Sequence, residues 1–207
     1  MPKVYVVGGH SGVERMFMCE GWEIAGSLNK ADLVCFTGGA DVCPALYGEK
    51  THRTTHFDLK RDLQEIVMFT DALNRSIPMV GICRGGQFLN VMCGGAMYQD
   101  VDGHAIYGTH VAERLDEENV SRINVTSTHH QMMMPSDQAI VIMQADTVQE
   151  VRTYDDTKSY ILGIEAAIYH HQKCLCFQPH PEFPNAHETR EVFFSFINKY
   201  LKLKVGE

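Results

Sequence analysis

No apolar run in this chain approaches the roughly 18 residues that a bilayer-crossing helix needs, so a membrane span is excluded. Positive charge is also scarce. Eighteen Lys and Arg face 26 Asp and Glu, a formal net charge of -8 that would repel a phosphate backbone and excludes nucleic acid as a direct partner. The phosphate-cradling pattern G-x-x-x-x-G-K-S/T is missing, so ATP-dependent chemistry would need another polypeptide. Internal repeats, low-complexity segments and linkers rich in Pro, Gly or Ser are absent too. With 207 residues, the expectation is one domain, 1–207, around one sizeable core. The seven cysteines are odd in number and form no spaced framework, which reads as reduced thiols in a cytoplasmic protein. Only Met1 to Val7 precede Gly8-Gly9, too little for a signal peptide.

What is present is ordinary globular composition, 44% hydrophobic and 21% charged, arranged as short apolar runs that end in glycine. Lys3 to Val7, Asp32 to Phe36 and Ile77 to Ile82 read as strands. Leu59 to Leu73 carries apolar residues at Leu63, Ile66, Val67, Thr70 and Leu73, a helical spacing. Strand, Gly-rich turn and helix in alternation argue for an α/β fold, a mostly parallel sheet with flavodoxin-like winding and flanking helices. In such sheets the active groups collect at the strand ends. The second half reads as additional antiparallel strands: Ile123 to Thr126, Ala139 to Gln144, Glu150 to Tyr154, Ile161 to Ile168 and Lys173 to Phe177. Asn185 to Leu203 closes the chain as an amphipathic helix with Val192, Phe193, Phe196, Ile197, Tyr200 and Leu201 on one face.

Three segments carry chemistry. In Gly81-Ile82-Cys83-Arg84-Gly85 a strand runs into Cys83 and a helix leaves it, the geometry of a nucleophile elbow with Cys in place of Ser. Glycines at both flanking positions fit a turn too tight for side chains. The helix N-terminus and a nearby imidazole would favour the thiolate. This segment alone leaves a structural cysteine and a nucleophile equally open. In Gln178-Pro179-His180-Pro181-Glu182 a strand delivers His180, with Glu182 two residues on. A thiol attacking an amide needs a base, and the base needs an acidic partner to hold its tautomer. Prolines on both sides of His180 stiffen the presentation. Finally, Gly38-Gly39 follows the strand Asp32 to Phe36, where backbone N–H groups can face an oxyanion.

Together these segments resemble the class I glutamine amidotransferase superfamily, in particular its branch of γ-glutamyl hydrolases that includes γ-glutamyl-γ-aminobutyrate hydrolase. The likeness runs from about Asp32 to Phe183. It takes in Gly38-Gly39-Ala40-Asp41-Val42, Pro44 to Glu49, Arg61-Asp62, Glu65, Gly81 to Gly85, Gln87, Asn90, Gly94-Gly95, Tyr98-Gln99-Asp100, His129-His130-Gln131 and His180-Pro181-Glu182. The resemblance implies a triad of Cys83, His180 and Glu182, and an oxyanion hole from the N–H groups of Gly39 and Arg84. It also implies a glutamyl pocket lined by Gln87, Thr128 and His129. The branch carries a longer segment before the Gly-Gly turn than Met1 to Ala31 with its Gly8-Gly9-His10-Ser11-Gly12. Gly86 replaces a bulky residue and is expected to loosen the helix start, and Met132-Met133-Met134 is expected to form a flexible, adaptable contact surface.

His170-His171 with Cys174 and Cys176 is discounted as a metal site, because the His pair falls in a hairpin turn while both cysteines point to one side of a strand. Metal ligation at His129 and His130 is discounted as well. His104, His110 and Glu113 to Glu118 read as a solvated loop. No metal or organic cofactor is expected. The reading taken is cysteine-dependent hydrolysis of a γ-glutamyl amide through a γ-glutamyl thioester, glutamine giving glutamate and ammonia for a separate synthetase. A stand-alone γ-glutamyl-amine hydrolase and a non-catalytic regulator that keeps the fold are the alternatives. Partners are then a small-molecule substrate and such a synthetase, with self-association left open.

Overall fold

The computed structural model describes residues 1–106, 108–116 and 120–203. Twelve strands and four α-helices follow one another among those residues. The first half contains β1 (Lys3–Val6), α1 (Ser11–Cys19), β2 (Glu23–Ile24), β3 (Leu33–Phe36), α2 (Leu59–Asn74), β4 (Met79–Ile82) and α3 (Arg84–Met92). After them come β5 (Ala96–Tyr98), β6 (Asp100–Val101), β7 (Gly108–Arg114), β8 (Ser121–Ser127), β9 (Met132–Met134), β10 (Ile140–Arg152), β11 (Lys158–Tyr169), β12 (Cys174–Phe177) and α4 (His187–Tyr200). No helix among the described residues is long and apolar enough to cross a membrane.

The main sheet runs β2-β1-β3-β4-β12-β11-β10-β7-β8, with β6 paired to β10. From β2 to β12 the strands are parallel. From β12 outward they are antiparallel, as the second half of the sequence leads one to expect. The central strands are apolar throughout because both faces are covered. Leu33, Cys35, Val80, Ile82, Leu175 and Phe177 pack with α1 and α4. Their alternates Val34, Phe36, Met79, Cys174 and Cys176 pack with α2 and α3. The face of α4 read from sequence is the buried one, with Phe193, Phe196 and Ile197 at 0% exposure; each such side chain contributes about 1.5–3 kcal/mol of transfer free energy.

The helix read over Leu59 to Leu73 is α2, but its apolar spacing does not mark its buried face: Leu63 and Val67 are exposed, and Asp62, Glu65, Phe69 and Ala72 are buried. The reason is Arg84, fully buried at the start of α3, whose guanidinium binds the Asp62 and Glu65 carboxylates. A buried cation demands paired anions, and that demand sets the rotation of the helix against its apolar pattern. Ala139 to Gln144 and Glu150 to Tyr154 are not two strands but parts of one, β10, which absorbs the polar Asp146-Thr147 stretch through shifts in its register against β11.

Met132 and Met133 are buried in β9, paired to β5, so they are core rather than contact surface. Gly86 does not loosen the helix. A Cβ there would lie 2.8 Å from Phe177 N, so glycine is what lets α3 press onto β12. His104 is buried and His110 to Arg114 lie in β7, not in a solvated loop, because β7 pairs with both β8 and β10. Glu117 and Glu118 of that expectation fall outside the described residues.

Candidate active site

Cys83 sits where β4 ends and α3 begins, with φ 51° and ψ −115°. That left-handed region is costly for a residue with a side chain and persists only where surroundings enforce it. Here they do. Cys83 N–H donates to Phe177 C=O at 2.8 Å, and Gln87 N–H donates back to Cys83 C=O at 3.0 Å. A Cβ on Gly81 would lie 2.2 Å from Gly85 C, and one on Gly85 would lie 2.2 Å from Phe36 O. The two glycines read from sequence as flanking a tight turn are thus required by backbone contacts, and the turn is wedged against the end of β3.

His180 follows β12 and is pinned by Thr126, whose Oγ1 accepts from His180 N–H at 2.6 Å. Its Nδ1 lies 2.7 Å from Glu182 Oε1, and its ring stacks on Phe183 with centroids 4.6 Å apart. With Nδ1 committed to Glu182, Nε2 is the nitrogen left to face Cys83. Gly38 lies between the two: a Cβ there would be 3.0 Å from His180 Cε1 and 3.7 Å from Cys83 Cβ. Burial opposes a charge on His180, but the hydrogen bonds and charges of Cys83 and Glu182 outweigh it and push the imidazole up to about 10.

The Gly38-Gly39 turn is held from behind. Arg61 Nη1 donates to Gly38 C=O at 3.0 Å, its Nη2 donates to Thr37 C=O at 2.9 Å, and its Nε donates to Glu65 Oε1 at 2.8 Å. Glu65 also binds Arg84, and Asp62 bridges Arg84 to Cys43 N–H, which donates to Oδ2 at 2.9 Å. One buried ionic chain therefore ties the Gly-Gly turn, the following loop and the N-terminus of α3 together. Gly39 has φ 139°, a glycine conformation. The side chain of Arg84 is spent on this chain, while the residue itself lines the cavity that holds Cys83.

Cys83, Arg84, Gly39, Gln87, Thr128 and His129 all line one cavity of about 220 Å³. The sequence-read site residues are thereby brought together, with His180 and Glu182 across the Gly38-Gly39 turn on a second cavity of about 790 Å³. That second space is bounded also by His10, Arg15, Phe183 and Arg190. Within the first cavity, Gln87 donates from Nε2 to Gln131 C=O and Gln178 Oε1, both at 3.4 Å. Neither ring nitrogen of His129 points into the cavity's open space: Nδ1 is 2.9 Å from Gln131 O, and Nε2 faces His104 Nδ1 at 3.1 Å. Burial pushes its imidazole down to about 3.

The sequence reading missed Asp41 as a wall of this cavity. Its Oδ1 lies 3.0 Å from His130 Nε2, and its Oδ2 accepts from His56 N–H at 2.8 Å. Its place directly after Gly38-Gly39-Ala40 was the available signal.

Comparison with known proteins bears on this arrangement. The family profile described as Peptidase C26 matches residues 16–182. The chain belongs to the Peptidase C26 family. This family is class I glutamine amidotransferase-like, as the resemblance in the sequence implies. Among curated C26-like relatives, “Putative glutamine amidotransferase Rv2859c” of Mycobacterium tuberculosis is 30% identical over 171 residues, which cover 72% of this chain and 53% of that protein. The chain thus spans about half the length of that relative. The carbamoyl phosphate synthase small chain of Helicobacter pylori is 28% identical over 136 residues, covering 65% of this chain and 32% of that one. Among solved structures, PurLQS from Thermotoga maritima superposes with a TM-score of 0.66 at 18% identity, over 97% of this chain and 99% of that chain. A glutamine amidotransferase from the same organism gives 0.63 at 17%, over 99% and 86%. At such identities the likeness establishes the fold, and the C26 chain here has it.

Proposed function

We propose that this protein hydrolyses a γ-glutamyl amide, glutamine in the first instance, with Cys83 as nucleophile and His180 and Glu182 completing a triad. The observation that carries the reading is the strained Cys83 at the N-terminus of α3, which meets across Gly38 a histidine that is itself 2.7 Å from a carboxylate. Cys83 Sγ attacks the γ-carbonyl carbon while His180 Nε2 holds its proton. The oxyanion accepts hydrogen bonds from the N–H groups of Gly39 and Arg84. His180 then gives the proton to the departing nitrogen, and the C–N bond breaks to leave a γ-glutamyl thioester. Water, deprotonated by His180, releases glutamate and regenerates the thiol. Glu182 keeps Nδ1 protonated throughout and balances the imidazolium. Gln87, Thr128, Asp41 and His130 wall the space for the glutamyl α-amino and α-carboxylate groups.

The names of the Helicobacter pylori and Thermotoga maritima relatives support a synthetase as the consumer of the ammonia. A second reading is favoured by the 790 Å³ cavity beside His180. Ammonia needs no such space, whereas a larger leaving amine does, and Arg15 and Arg190 at its edge suit one that carries a carboxylate. The product profile separates the two. Glutamine and a γ-glutamyl-aminocarboxylate are offered to the purified protein, with and without candidate synthetases. Fast, partner-independent cleavage of the second with glutamine a poor substrate selects the stand-alone hydrolase. Glutaminase activity raised by a synthetase selects the subunit reading. Cleavage of neither, under any condition, overturns both.

A further inference from the structure

We propose that His104, His129 and Glu165 form a binding site for one divalent transition-metal ion of the zinc class, with His110 beside it on Glu165, and that the ion braces the wall of the Cys83 cavity. The residues come from the loop after β6, from β7, from the loop after β8 and from β11. His104 Nδ1, His129 Nε2 and a Glu165 oxygen all lie within 4.8 Å of one another. Their separations are 3.1 Å between the two imidazoles, 3.4 Å from His104 to Glu165 Oε1 and 3.9 Å from His129 to Glu165 Oε2. His110 Nε2 lies 3.1 Å from Glu165 Oε1 and holds that carboxylate from outside the group. Tetrahedral zinc with bonds of about 2.0–2.2 Å has ligand-to-ligand edges of about 3.3–3.6 Å. Two imidazoles and a carboxylate, with water to complete the shell, are donors suited to such an ion, and too rich in nitrogen for calcium or magnesium.

Two independent features point into the cluster. Glu165 is 0% exposed, yet its Oε2 has no hydrogen-bond partner, an expensive state for a carboxylate oxygen. The facing nitrogens are also the bare ones. His129 Nδ1 donates to the Gln131 carbonyl, which can only accept, so Nε2 presents a lone pair. Gln149 Oε1 accepts from Gly163 N–H at 2.9 Å and, with His104 Nε2, borders the site of Gly163, so it is the carbonyl end that His104 Nε2 meets. That leaves Nδ1 bare as well. Two lone pairs 3.1 Å apart beside a carboxylate repel one another unless a cation lies among them. Backbone and amide carbonyls holding the second nitrogen of each imidazole are the usual supports of metal-bound histidines.

A cleft of about 280 Å³, lined by His104, His110, Thr147 and Gln149 among others, opens onto the cluster and gives an ion its path. The consequence for function is positional. His129 belongs to the segment Thr128 to Gln131 that lines the Cys83 cavity, so an ion on Nε2 fixes that wall without touching the reacting atoms.

The test uses the full chain in a Cys83→Ala background, so that the thiol cannot supply a competing site. The protein is stripped with a chelator and titrated with zinc and, separately, with cobalt(II). The expected results are one equivalent of zinc by elemental analysis, a tetrahedral cobalt absorption spectrum and a raised melting temperature. Glu165→Gln should abolish the cobalt spectrum with the circular dichroism unchanged. His110→Ala, at a partly exposed position, and Gln149→Ala should each weaken zinc by about 10–100-fold. Less than a tenth of an equivalent bound at micromolar zinc would overturn the proposal, as would binding that Glu165→Gln leaves intact. A pair of histidines sharing one proton would give the first of those outcomes.

Discussion

Arg61 Nη1 donates to the carbonyl oxygen of Gly38 at 3.0 Å, so a side chain on α2 sets the backbone turn that separates Cys83 from His180. In the proposed mechanism the next N–H, that of Gly39, receives the oxyanion. Arg61 is thus a positioning residue. Arg61→Ala should lower kcat by about 10–100-fold, the cost of a misplacement of about 1 Å, with KM nearly unchanged. Arg61→Lys should recover little, because a lysine cannot reach Thr37, Gly38 and Glu65 together. Steady-state kinetics on both variants, with circular dichroism as the folding control, reads this out.

Gly86→Ala should destabilise the fold by about 1–3 kcal/mol, since the added methyl would sit 2.8 Å from Phe177 N and force α3 away from β12. The urea midpoint measures it. An unchanged midpoint would show that α3 is not pressed onto the strand there.

Arg84→Met should be worse, at about 3–5 kcal/mol, because it strands the buried carboxylates of Asp62 and Glu65. Restoring neutrality with Asp62→Asn and Glu65→Gln in the same chain should recover part of the loss. Urea unfolding of the single and triple variants decides whether charge, rather than volume, sets the cost.

The pH dependence follows from His180. Burial works against its charge, yet Cys83 and Glu182 hold its imidazole at about 10, against an ordinary 6.5. A value raised on folding contributes stability that is fully present below pH about 6.5 and is lost as pH rises through about 10. The wild type should therefore lose stability relative to His180→Gln across that window. By NMR, the His180 titration should fall below about 10 in Cys83→Ala. If Cys83→Ala leaves it there, the thiol is not the partner that holds it.

The legible parts of this molecule were those whose meaning is local. Gly81, Cys83 and Gly85 spell a tight turn within five residues, and His180 to Glu182 within three. The unbroken apolar runs Leu33 to Phe36 and Cys174 to Phe177 fit strands covered on both faces, and the structure has them so. The face of α2 was not legible. Turning Asp62 and Glu65 inward makes sense only once Arg84, some twenty positions on, is known to be buried opposite them. Likewise His104, His110 and Glu165 look like unrelated polar residues until β7 and β11 are placed on either side of β10. The methionines of β9 misled because their apolar character was legible while their strand partner, β5, was not.

The most direct test of the central claim is the site of covalent capture by a diazo-ketone analogue of glutamine, mapped by mass spectrometry of the digested protein. Cys83 is the cysteine beside His180 at a helix N-terminus, whereas Cys19 is exposed and the others are buried in the core. The account predicts one adduct, on Cys83, suppressed by excess glutamine and slowed several powers of ten in His180→Ala. An adduct on Cys19 or Cys93 with Cys83 unmodified, or labelling of Cys83 at an unchanged rate without His180, would contradict it.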